Sequence, residues 1–163
     1  MARPAGAGLA LLTTVARDRD AQGRAENARP RDGLGRPLPH GSPGVERVEA
    51  RERSPDEALA EAQGYLDREM PFHAHEVLEE QWKAAPEPER ALWQGLAQLA
   101  VGLTHQRRGN LRGARTVTTR GADAIERYVA IAPHGIDVAG LVTWARALAQ
   151  DPDGQVPVPR LRR

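Results

Sequence analysis

Cysteine is missing from all 163 residues. Its absence excludes disulfide bridges, thiolate metal sites and cysteine nucleophiles, and it fits a reducing, cytoplasmic compartment. Lysine is almost missing: Lys83 is the only one, and every other basic residue is arginine. Charge of one sign is lacking too. With a formal net charge of +1, no global field gathers nucleic acid or anionic lipid, so neither is expected as a partner. Aromatics make up 4%, which leaves Leu, Val and Ala to build the core. No run of about eighteen apolar residues is present, so no membrane span is expected. The apolar run 5–16 follows Arg3 but is short and has no cleavage site before RDRD, so it is not read as a signal peptide.

What is present divides the chain. Residues 1–53 alternate Arg, Asp, Gly and Pro without helical or strand periodicity. Such a segment buries too little apolar surface to offset its chain entropy. It is read as an extended, partly disordered N-terminal arm that docks through Leu34, Leu38 and its prolines. Residues 54–150 read as a helical bundle and 151–163 as a proline- and arginine-rich tail. Ser54-Pro55-Asp56-Glu57 is a capping box with proline at the first helical position. Pro71 separates the first helix from a second, about 72–85. A third runs from about Glu89 to Arg108, and Gly109-Asn110 turns the chain. The fourth places Ala114, Val117, Gly121, Ile125, Tyr128 and Ile131 on one face, and the fifth, from about Asp137, carries Val138, Leu141, Trp144 and Leu148. Nothing alternates like a strand. The expected fold is an all-α bundle of about five antiparallel helices.

Two helices carry polar residues that need a reason. In the second, Phe72, Leu78 and Trp82 bracket His75 and Glu79, while His73, Glu76 and Glu80 fall toward the solvent side. The third has no charged residue from Ala91 to Gln106. Its leucines and small residues cover most of its faces, and Gln94, Gln98, Val101 and His105 form the remaining stripe. A helix apolar on most sides is central. Antiparallel packing would let His75 and Glu79 face Gln98 and His105. Three readings stay open: an internal hydrogen-bond network, a divalent metal site of His75, Glu79 and His105, or an acid–base or small-ligand pocket. The spacing HEVLE is not the zincin HExxH, and the histidine precedes the glutamate, the reverse of di-iron bundles. Trp82, Trp93 and Trp144 read as core and not as a stacking platform.

The segments FHAHEVLEEQW and WQGLAQLAVGLTHQRRGNLRGA resemble the signature of domain-of-unknown-function family 309, over about residues 55–130. The resemblance implies a small all-helical bacterial, archaeal or plastid domain with no established activity. It marks His75, Glu76, Glu79, Gln98, His105 and Asn110 as characteristic polar positions. Asn110 could equally cap the fourth helix. The fourth helix departs from the family pattern, with Thr116-Val117-Thr118-Thr119 in place of a leucine-rich run. The arm also resembles that of high-GC actinobacterial members, and residues 1–14 read as an over-extended gene start. Two functions follow: a metal- or small-ligand-binding, conceivably hydrolytic domain centred on His75, Glu79 and His105 with Glu76, Gln98, Gln94, Trp82 and Asn110 in support, or a non-catalytic helical interaction module whose cluster is structural. A protein partner or homo-oligomer belongs with the second.

Overall fold

The computed structural model describes residues 30–163. The expectations for the start of the arm, the apolar run 5–16 and the gene start concern residues outside this range. The capping box forms: Ser54 Oγ accepts from Glu57 N and the Glu57 carboxylate accepts from Ser54 N, opening α1 (Pro55–Asp67). Two of the orphan N–H groups of a helix start are satisfied this way. Glu69 turns the chain at φ 57°, and α2 (Pro71–Ala84) begins on a proline whose missing N–H costs nothing there. After Pro86 comes α3 (Glu87–Arg107). Gly109, at φ 79°, supplies the left-handed turn. Asn110 then accepts from Gly113 N to open α4 (Leu111–Ile125), and Asp137 accepts from Gly140 N to open α5 (Val138–Gln150). Among the described residues the β structure is limited to two isolated bridges.

Successive helices are antiparallel. Along α3, Gly95, Leu99 and Gly102 meet Ile125, Gly121 and Thr118 of α4, ascending on one helix and descending on the other. A Cβ on Gly102 would lie 2.0 Å from Thr118 Oγ1 and 3.2 Å from Thr118 N, so glycine is what allows this approach. Arg107 of α3 reaches Glu69 just before α2 at 2.8 Å, and Arg146 of α5 reaches Asp123 of α4 at 2.7 Å. Helix α3 lies between α2 and α4, as its charge-free sequence predicts, and Leu92, Trp93, Leu96 and Leu103 are fully buried on it.

Two expectations need correction here. Helix α4 stops at Ile125 and gives way to a 3₁₀ turn, Glu126–Tyr128. Ile131 therefore leaves the helical face and is 72% exposed. Within 116–119 the buried position is Thr118, and Val117 is only half-buried, because the facing surface of α3 is glycine and takes a small side chain.

Both flanking segments fold back on the bundle. In the tail, Leu161 is buried, its N–H donates to Gln63 Oε1 and Gln63 Nε2 donates to Pro159 O. Trp144 Nε1 donates to Pro157 O at 2.8 Å. In the arm, the Arg53 side chain is 2% exposed and bridges Glu61 of α1 (2.5 Å) and Glu80 of α2 (2.6 Å). Further out, Gly35 sits at φ 73° against the ring of Phe72, in space that a Cβ would need. Arg108 donates to Leu34 O. The arm thus docks by a glycine on an aromatic ring, where Leu34 and Leu38 are only half-buried. No helix among the described residues is long and apolar enough to cross a membrane.

Candidate ligand-binding site

The residues singled out from sequence fall into two local pairs. On α2, His75 Nε2 lies 3.3 Å from Glu79 Oε2, and the other carboxylate oxygen of Glu79 lies 3.4 Å from Lys83 Nζ. At the end of α3, His105 Nδ1 lies 3.1 Å from Asn110 Nδ2. No hydrogen bond or ion pair among the described residues joins the two pairs. Gln98 Oε1 is buried with no partner. Gln94 and Trp82 line a different cleft, shared with Tyr128 and Ile131. Among the described residues no group of three or more His, Asp or Glu side chains could hold a metal ion.

The histidine that sequence reasoning placed toward solvent is the most buried one on α2. His73 is 3% exposed, because the arm crosses over it. A helical wheel reads only a helix's own pattern, and this cover comes from an aperiodic segment. Spacing held a partial signal: His73 and His75 sit about 200° apart on the helix, so both can be shielded only if a second element lies on α2. The His73 ring packs 5.4 Å from Tyr65 and 6.2 Å from Phe72. Burial lowers its pKa, while the backbones of Glu46 and Gly33 of the arm and the Asp32 carboxylate pull the other way. Its Nδ1 is buried with no hydrogen-bond partner among the described residues.

His73 lines a cleft of about 260 Å³ between the arm and α2. Arg31, Arg47, Val45 and Val48 line the arm side, and Phe72, Glu76 and Glu79 the helix side. Glu76 takes no hydrogen bond or ion pair among the described residues. Burial pushes its pKa up, Arg31 across the cleft pulls it down, and the neighbouring Glu79 and Glu80 push it up again. Glu79 and Glu80 are otherwise engaged, the first by His75 and Lys83 and the second by Arg53. The Phe72 ring carries two guanidinium groups, those of Arg31 and Arg108, each 5.8 Å from its centroid. Chemically, the cleft sets the Glu76 carboxyl, to which no described residue donates, across from Arg31 and Arg47; His73 lines it, with its Nδ1 closed off from solvent. Of the expected set, Glu76 and Glu79 line it, His75 contacts it through Glu79, and Gln98 and His105 lie outside it.

Residues 59–117 match the sequence profile described as "Domain of unknown function (DUF309)". The chain is 46% identical over 59 residues to the "Uncharacterized protein YpuF" of Bacillus subtilis (strain 168). That match covers 31% of this chain and 34% of the relative, so the chain spans about a third of the length of the curated relative it matches. No solved structure matches.

Proposed function

We propose from the geometry of the cleft that this domain, whose residues 59–117 match a family profile described as being of unknown function, binds a small polar molecule between its arm and α2. The single observation behind this is Glu76: a half-buried carboxyl with no hydrogen bond or ion pair among the described residues lines the cleft between the arm and α2, beside His73. An unsatisfied buried polar atom costs about 1–3 kcal/mol, and natural folds rarely keep one without a water, ion or ligand to answer it. The cleft lies just under the range of about 300–1,000 Å³ typical of drug-sized ligands, which suits a metabolite. In this reading His75 orients Glu79, and Glu79 with Glu76 forms the floor; no metal ion takes part.

The test is imidazole ¹⁵N NMR on the full chain with mixtures of small polar metabolites. A ligand of the cleft shifts the His73 Nδ1 resonance, and Glu76→Gln weakens that response. If no mixture moves His73, the proposal fails.

A second reading has one observation in its favour. His75 pairs with Glu79 and His105 with Asn110, each within its own segment, as expected of an interaction module whose polar groups only hold the fold. In that case His75→Ala and Glu79→Ala both destabilise, and the double variant costs less than their sum.

A further inference from the structure

We propose that the turn after α4 and the cleft beside it form the contact between two copies of this chain. Ile131 of each copy enters the cleft of the other, and Arg127 of each meets Glu87 of the other. This goes beyond the binding reading above and does not depend on it.

The turn holds apolar side chains out in water. Among the described residues three large apolar side chains are exposed, and two of them, Val129 (43%) and Ile131 (72%), stand on this turn. Single exposed residues of this kind are ordinary, whereas neighbours on one surface mark contact sites. The backbone just past them is strained: Ala132 and His134, neither of them glycine, take φ of 43° and 55°. Such strain persists only where the surroundings over-determine it. Two anchors do so here. Tyr128 Oη donates to Pro88 O at 2.7 Å, and His134 Nε2 lies 2.8 Å from Glu89 Oε2. Both partners are in the first turn of α3, so Ile131 is fixed between the anchors as a knob. A knob already held in place loses little conformational freedom when a partner buries it.

The cleft beside it is the complement. It measures about 570 Å³, and Trp82, Ala91 and Tyr128 give it apolar walls. Beyond Gln94 the neutral stripe of α3 continues through Gln98 and Val101, all half-buried, and interface centres are depleted in charge. The rim carries both signs. Arg127 is exposed and makes no hydrogen bond or ion pair among the described residues. The Glu87 side chain is 87% exposed and has only a loose contact, 3.6 Å, with Arg90. One surface therefore presents both halves of each contact, a knob with a cleft and a cation with a carboxylate. Under a two-fold axis residue i of one copy meets residue j of the other, and j meets i. A surface of this kind is complementary to itself.

Sedimentation velocity on the full chain tests the contact. The chain is expected to pass from monomer to dimer as its concentration rises, and Ile131→Asp to weaken the dimer at least tenfold. Arg127→Glu and Glu87→Arg should each weaken it about tenfold, because each then sets like charges together twice across the axis. Mixed together, these two variants should associate as tightly as the unaltered chain, since opposite charges meet again at both places. All three positions are exposed, and circular dichroism confirms that each variant is folded. A chain that stays monomeric up to millimolar concentration overturns the proposal, whether residues 1–29 or a different protein then take the cleft. A dimer that Ile131→Asp leaves intact overturns it too, as does a mixture of the charge variants that associates no better than either alone.

Discussion

Gly102 sets how closely α3 and α4 approach. Its missing side chain is where Thr118 Oγ1 resides, and that hydroxyl is itself buried without a partner. Gly102→Ala is expected to cost about 1–3 kcal/mol by overpacking, since the first atom it meets belongs to a short, fully buried side chain next to its own backbone. Thr118→Ala removes both the obstacle and the orphan hydroxyl. The double variant should therefore recover most of the loss, with a coupling of about 0.5–3 kcal/mol in urea denaturation. Additive costs would mean that the two residues do not compete for the same space. The glycines of α3 are legible in sequence as points of close approach. Thr118 is not, because a polar residue opposite glycine looks like a solvent position on any hydrophobicity pattern.

Titration belongs to the same scale. His73, His75 and His105 all have pKa values lowered on folding, with burial the largest cause in each. A histidine that holds its proton less tightly in the folded chain lets the unfolded chain take up protons first as pH falls. Its contribution is complete above the ordinary imidazole value of about 6.5 and is lost below it. Glu76 is shifted the other way, upward, so its folded form favours the proton and the charge it carries near neutral pH is destabilising. Thermal melts should therefore show stability falling as pH drops below about 6.5. Glu76→Gln should raise the melting temperature near neutral pH and have little effect in acid, where Glu76 is protonated in both states. A lower melting temperature for Glu76→Gln at neutral pH would show that the carboxylate is stabilised by Arg31 and Arg47 more than burial disfavours it.

At the scale of elements, the arm and α2 depend on one side chain. Arg53 is almost fully enclosed, while its partners Glu61 and Glu80 keep part of their surface in water. Breaking a fully buried pair costs about 3–5 kcal/mol, and the partly solvated carboxylates reduce this to about 1–3 kcal/mol for Arg53→Met. Amide hydrogen exchange should rise first in residues 45–52 and then at His73, before the rest of α2. Unchanged exchange there would show that the contacts at Phe72 hold the arm alone. Helix starts, the order of helices and the central place of α3 could all be read from capping residues, prolines and a missing charge pattern. The docking of the arm could be suspected but not placed. Its anchors are a glycine in a left-handed turn and guanidinium groups over an aromatic ring, and neither leaves a periodic trace. For that reason the sequence led to Glu76 and Glu79 but assigned the wrong side of the helix to His73.

For the whole molecule, the tail is part of the fold. Leu161 is 4% exposed, and burying a leucine contributes about 1.5–3 kcal/mol. Removing residues 157–163 also strips Gln63 and Trp144 of their backbone partners. A loss of about 2–4 kcal/mol is expected from the two contributions together, measured by urea denaturation with an unchanged helical spectrum. A loss below about 0.5 kcal/mol, the level of an ordinary surface change, would show that the tail lies on the bundle without supporting it.

Asp56, in the first turn of α1, accepts from Arg162 at 2.5 Å, and Ile136 bridges to Arg162 on the same side. The start of the first helix and the far end of the tail therefore meet, and the path of the chain from 54 to 163 closes into a ring. Nothing in the packing then identifies where that ring must be cut. Joining 163 to 54 through a short linker and opening the exposed turn at Gly109-Asn110 should yield a circular permutant with the same helices in the same places. Its arm would have to be supplied as a separate peptide, and whether that peptide restores the His73 signal would show directly how much of the cleft belongs to the ring.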